Sequence, residues 1–162
     1  MAVLSSDRVR KELAGLGPHR RAASGYRKGI YSPEHTRATY AELLRRAGTL
    51  LGMGESVVLD APWADAGNRS AAPPALAERC RADLVELCCR APAEVAAARM
   101  AERAGPSDAD PVIASRMAQD MTPWPQATSL DTAGPLESTM RSALDPFGRR
   151  QPSVTRRSVA RP

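Results

Sequence analysis

Short apolar runs of β character alternate along this chain with longer stretches of helical spacing, the pattern of a parallel sheet covered by helices. Four runs read as strands: Ala2 to Ser5, Ser56 to Asp60, about Asp83 to Cys88, and a weaker one over Ala127 to Asp131. Between the first two, Tyr40, Leu43, Leu44, Ala47, Leu50 and Leu51 recur at the spacing of one buried helical stripe. Ser32 before Pro33 and Glu34 predicts the start of that helix, because Ser accepts free amide hydrogens and Pro suits the first helical position. Gly52 and Gly54 predict its end. Asp110 with Pro111, and Thr132 with Pro135, predict two further helix starts, and an Ala-rich helix is expected after Pro92. The stretch from about Ala64 to Cys80 is helical in spacing but holds Pro73 and Pro74. An interior proline costs ~3 kcal/mol, so a break is expected there.

Composition narrows this reading. A length of 162 residues suits one domain with a moderate core, and with 43% hydrophobic but only 4% aromatic residues its packing must rest on small aliphatic groups. No run approaches the ~20 apolar residues of a membrane span, and no charged segment followed by an apolar core opens the chain. A cytoplasmic protein without membrane contact is expected. The net charge of +5 comes from Arg149, Arg150, Arg156, Arg157 and Arg161, in a stretch without Asp or Glu. Residues 1–148 are therefore the expected folded part, and 149–162 a disordered basic tail. That tail lacks aromatic side chains for base stacking, which argues against nucleic acid as its partner. Cys80, Cys88 and Cys89 have neither a metal-ligand spacing nor an even number for disulfides. They read as reduced thiols, at least one of them a small core residue.

Four groups of residues carry candidate chemistry. Asp7 follows a short apolar strand, where a carboxylate projects over the sheet edge and can take the proton of an attacking hydroxyl. Ser6 or Asp7 can equally cap the helix that follows. Arg10, one turn on, suits either an acceptor phosphate or Asp7 itself. Asp60 closes the run Val57, Val58, Leu59 and can hold the water shell of Mg²⁺, although strands also end in Asp for turn chemistry alone. Arg99 and Arg103 are four residues apart, so one helix face carries both; they read as a phosphate clamp or as a solvated face with Glu102. Ser107, Asp108, Ala109 and Asp110 would then belong to a hinged lid. Residues 15 to 31, rich in Gly and basic groups, read as a mobile loop on the acceptor side or as an ordinary polar connection. His19 and His35 are expected to be exposed to solvent.

Taken in order, these segments resemble the P-loop kinase domain of AAA-type ATP-binding proteins, which is related to the polynucleotide-kinase and zeta-toxin enzymes and is often fused to an aminoglycoside-phosphotransferase-like domain. The resemblance runs from Val3 to about Leu144. It rests on Asp7 with Arg10 and Lys11; Tyr31, Ser32, Pro33, Glu34; Tyr40 to Leu44; Val57 to Ala61; Arg99 with Arg103; Ser107 to Ala109; Pro123, Trp124, Pro125; and Leu130, Asp131, Thr132. It implies an α/β fold, a parallel sheet flanked by helices, and phosphoryl transfer from ATP with Mg²⁺ to a hydroxyl acceptor. By that resemblance Asp7 is the base, Arg10 and Arg69 bind the acceptor, Asp60 supports the metal, and Arg99 and Arg103 bind the phosphates.

The chain departs from the family pattern at one place. No Gly-rich loop ending in Gly, Lys and Ser or Thr occurs in the 162 residues, so the backbone cradle, the phosphate lysine and the metal-binding hydroxyl of such kinases are missing. The expectation is a kinase-like domain lacking its first, central strand, P-loop and first helix, and inactive by itself. Either the reading frame begins upstream of Met1 or the gene is a remnant. The central strand would lie between those ending at Asp60 and near Cys88. Its loss predicts direct pairing across the gap or a poorly stable product that self-associates through the open sheet. A non-catalytic interaction module is the alternative function.

Overall fold

The computed structural model describes residues 1–17, 20, 27–102 and 111–148. The predicted lid at 107–110 and basic tail at 149–162 lie outside the described residues, as do Arg103 and residues 18, 19 and 21–26 of the predicted loop at 15–31. The fold is α/β, with short parallel strands flanked by helices. Its contacts gather into two compact units, residues 1–84 with 92–124, and residues 85–91 with 125–162.

In the first unit β1 (Ala2–Ser5) leads directly into α1 (Ser6–Leu13), and β2 (Val57–Asp60) pairs with β1 in parallel, Ser5 opposite Asp60. Successive strand residues face opposite sides. Leu4 and Leu59, register partners, pack on the core formed by Val9, Tyr40, Leu43 and Trp63. Val3 and Val58, the next pair, face away and are 63% and 42% exposed.

Helix α2 (Pro33–Gly52) forms as its sequence signals require. Ser32 Oγ accepts from the His35 amide at 3.2 Å, Pro33 sits at the first helical position, and Tyr40, Leu43 and Ala47 are the buried stripe. Gly54 supplies φ +80° in the turn beyond. The helical stretch that follows β2 breaks at Ala71, two residues before Pro73. It divides into α3 (Ala66–Ser70) and α4 (Ala72–Cys80), so Pro73 and Pro74 fall in the first turn of α4, where a missing amide hydrogen costs no helical bond. α5 (Ala93–Glu102) and α6 (Pro111–Gln119) pack on one another.

On α2, Glu42 accepts from Arg45 and Arg46 at 2.7 to 2.8 Å, and Arg46 reaches Glu12 of α1 at 2.6 Å. These hydrogen bonds hold the Glu42 carboxyl down at about 2. A carboxylate whose folded value lies below its unfolded one contributes stability above the unfolded value, and that contribution disappears as pH falls toward the folded one. The stability gap between the native chain and Glu42→Gln should therefore be full at pH 7 and close between about pH 4.5 and 2. Urea unfolding across that window checks it, and a gap constant with pH would contradict it.

In the second unit β3 (Leu87–Arg90) pairs in parallel with β4 (Thr128–Asp131), and α7 (Leu136–Gly148) packs on β4. The third predicted strand is thus shifted by several residues. The apolar run Leu84, Val85 suggests an earlier start, but the ladder begins where the Thr128 amide reaches Glu86 O at 2.9 Å. Cys88 is buried there and Cys89 is exposed; Cys80, Cys88 and Cys89 form no disulfide.

The described strands form two separate pairs, β1 with β2 and β3 with β4. Among the described strands the direct pairing of β2 with β3, the first of the two expected outcomes, is not formed.

Candidate functional site

The carboxyl ends of β1 and β2 lie side by side, because Ser5 and Asp60 are register partners. Adjacent strands are about 4.8 Å apart, so α1 and its Asp7 start at the same sheet edge at which Asp60 ends β2. In open α/β sheets this carboxyl edge is where ligands bind. Asp60 is exposed there.

Asp7 does not cap its helix. α1 begins at Ser6, with Ser5 as a cap residue that makes no side-chain bond, and Asp7 lies inside the first turn. Its carboxylate instead has a partner on each oxygen. Lys11 Nζ lies 3.1 Å from Oδ2, one helical turn on, and the Tyr31 hydroxyl donates to Oδ1 at 3.3 Å. Lys11 is fully buried while Asp7 keeps 29% of its side chain exposed. The ammonium therefore meets the carboxylate from inside the protein, and the solvent side of the carboxylate remains reachable.

Arg10 joins this group without touching the carboxylate. Its Nη1 donates to Ile30 O at 2.9 Å and to Thr36 Oγ1 at 3.0 Å, and its guanidinium lies 4.9 Å from the Tyr31 ring centre. Burial lowers its pKa, while the neighbouring Tyr31, Tyr40 and Asp7 act in the opposite direction. His35, expected in solvent, turns its Nε2 to Arg10 O at 3.1 Å, which is possible because its amide is held by the Ser32 cap. Tyr31 itself ends a 3-10 turn, Gly29–Tyr31, entered through Gly29 at φ +55°.

Arg69 stands in a second cluster and is 4% exposed. Nη1 donates to Trp63 O and, at 3.1 Å, to Ala64 O; Nη2 donates to Thr122 Oγ1 at 2.7 Å, Pro123 O at 2.9 Å and Thr122 O at 3.2 Å. Its carbon lies 4.9 Å from the Trp124 ring centre. The residue it holds, Trp63, has φ +49°, a left-handed backbone that bulky residues rarely adopt. The Trp63 amide donates to the Tyr40 hydroxyl at 3.1 Å, and the two rings lie 4.8 Å apart. Burial raises the Tyr40 pKa. Arg69 and Tyr40 together fix the turn that immediately follows Asp60.

Of the residues singled out by sequence, Asp7 and Arg10 are brought together, and Asp60 shares their sheet edge. Arg69 faces backbone carbonyls, Arg99 is exposed on α5, and Arg103 lies outside the described residues. Two contacts escaped the sequence reading. Lys11 was legible in principle, since it stands four residues after Asp7. Tyr31 was not, because only the fold returns it to α1 from 24 residues away.

Residues 1–123 match the AAA domain family. The chain belongs to this family. It is 38% identical over 142 residues to the uncharacterized proteins Rv2004c of Mycobacterium tuberculosis and Mb2027c of Mycobacterium bovis. The match covers 87% of this chain and 28% of each of those proteins, so the chain spans little more than a quarter of the length of the curated relatives it matches. No solved structure matches it. The family suggests a P-loop, nucleotide-kinase-like function, and its members generally bind ATP with Mg²⁺. Among the described residues no helix is long and apolar enough to cross a membrane.

β1 runs into α1 with no intervening loop, and the β2 to α3 connection holds Pro62 and the buried Trp63. Neither offers the glycine-rich turn of backbone amides that a triphosphate needs, so ATP does not fit these residues by themselves. Among the described residues no group of three or more His, Cys, Asp or Glu can hold a metal. A single carboxylate such as Asp60 suits the water shell of an Mg²⁺ ion that takes its other ligands from phosphate oxygens.

Proposed function

We propose that this chain supplies the acceptor side of an ATP-dependent, kinase-like phosphotransferase acting on a hydroxyl compound, and that it does not load the nucleotide by itself. The observation that carries the reading is the placement of Asp7 and Asp60 at one carboxyl edge, with Asp7 partnered on both oxygens yet open to solvent on one side. Asp7 takes the acceptor's proton, Arg10 orients the acceptor, and Asp60 holds water around the metal. Arg99, on α5, and Arg103 serve the phosphates. Arg69, an acceptor-binding residue by resemblance, acts here through the backbone it fixes beside Asp60.

Calorimetry with MgATP tests this. The 162-residue chain should bind MgATP at least about 100-fold more weakly than a form extended by a loop of the Gly, Lys, Ser or Thr type, because the backbone cradle provides the main phosphate contacts. Tight MgATP binding by the 162 residues alone would overturn the reading. A second reading, a non-catalytic module that associates through its open sheet, is favoured by the exposed Val3 and Val58 pair. It predicts a stable complex that survives Asp7→Ala.

A further inference from the structure

A phenol O–H aimed at a carboxylate is the same donor–acceptor pair that a bound alcohol forms before it surrenders its proton. Tyr31 makes that pair with Asp7 Oδ1, at 3.3 Å, a length beyond the usual 2.5 to 3.0 Å of such bonds and therefore weak. Lys11 holds the other oxygen at 3.1 Å from inside, so Oδ1 is the atom left to an incoming hydroxyl. Over the Tyr31 ring lies the Arg10 guanidinium, at 4.9 Å from the centroid, in the position of a cation on a π face. That guanidinium is itself fixed by Ile30 O and Thr36 Oγ1, so its flat face stays in place whether or not the ring is beneath it.

We propose that Tyr31 keeps the acceptor's place on Asp7, and that the ligand taking this place is a hydroxyl compound with a flat ring, its hydroxyl on Oδ1 and its ring against Arg10. The inference rests on the acceptor-side reading of Asp7 and deepens it by naming the chemical class of the acceptor. The phenol contact is long, so a hydroxyl bound in its place gains a shorter hydrogen bond to Oδ1 as the Tyr31 side chain turns aside, while Ile30 O and Thr36 Oγ1 keep Arg10 in position. Asp7 is kept in a fixed orientation until then.

The test uses free p-cresol, the tyrosine side chain as a separate molecule, and toluene, which lacks only the hydroxyl. In the 162-residue chain carrying Tyr31→Ala, NMR titration should show p-cresol binding about tenfold more tightly than toluene, since a site built for a hydroxyl rejects the analogue without it. Adding Asp7→Asn should erase that preference, and the native chain, where Tyr31 competes for the place, should bind p-cresol more weakly than the Tyr31→Ala chain does. Equal binding of the two probes, no binding of either, or a preference unchanged by Asp7→Asn overturns the proposal. Should Tyr31→Ala not fold, Tyr31→Phe keeps the ring and frees Oδ1. Ethylene glycol should then move the Asp7 carboxyl carbon resonance in a saturable way in this variant, with a midpoint at lower concentration than in the native chain, and the same midpoint in both would count against the idea. These titrations read hydroxyl binding and not transfer. A cresol preference alongside undiminished transfer in Asp7→Asn removes the base and leaves the hydroxyl place standing, and the reverse pair of results removes only the role of Tyr31.

Discussion

Replacing Asp7 with Asn lowers phosphoryl transfer by about 10²- to 10⁴-fold, the usual contribution of a positioned general base, in any longer form of this chain that carries a phosphate-binding loop. Asn keeps the size of the side chain and an oxygen for the Tyr31 hydroxyl, so the local geometry can persist. What it cannot do is accept a proton at neutral pH. It also removes one charged partner of Lys11, which is fully buried, and a buried ammonium that loses a partner destabilises its surroundings. The assay therefore needs a melting curve of the same preparation, and nucleotide affinity within about twofold of the parent. Transfer at the parent rate from a folded Asp7→Asn protein would remove Asp7 from the chemistry.

Arg69→Met should cost at least about 3 kcal/mol of folding stability, because four main-chain carbonyls and the Thr122 hydroxyl lose a charged donor in a place that water does not readily reach. Against a typical total of about 5 to 15 kcal/mol this is a large share. The loss falls on the Trp63 turn beside Asp60, held in its left-handed backbone by this guanidinium and by Tyr40. Arg69→Lys should recover little of it. An ammonium offers at most three N–H donors from one point, whereas the planar fork here makes five contacts from two nitrogens. Urea unfolding followed by the fluorescence of Trp63 and Trp124, both in contact with this cluster, measures the effect. A Met variant within about 1 kcal/mol of the parent would show that the clasp is ornamental.

Arg69 also shows where the reading of residues alone stops. Its position after a strand-end Asp marks it as functional, but an arginine on a phosphate and one on backbone carbonyls leave the same trace in a sequence. Only the return of Thr122, Pro123 and Trp124, more than 50 residues away, shows which contacts it makes. The helix over Pro33–Gly52 was legible to the residue because its signals are local: a Ser cap, a proline at the first position, a stripe at helical spacing and glycines at the end. The strand at Leu87–Arg90 was misplaced because strand ends are set by the partner they meet, here β4, and not by the apolar run itself. The break expected at Pro73 and Pro74 is present just before them, and the prolines themselves open a new helix, since proline is tolerated in a first turn.

Local chemistry in the chain determined the alternation of strands and helices, the cap and stripe of α2, and the position of Asp7 and Asp60 at strand ends, because backbone preferences and apolar period act over a few residues. The absence of a phosphate-cradling loop was also plain, being a matter of residue identity. Tertiary structure alone decided that the strands pair two by two, that Lys11 meets Asp7 from the interior, and that Tyr31 lies on the carboxylate under Arg10. Those contacts depend on segments brought together by burial of Val9, Tyr40, Leu43 and Trp63, and hydrophobic burial is non-directional. It selects which surfaces meet only once all of them are present.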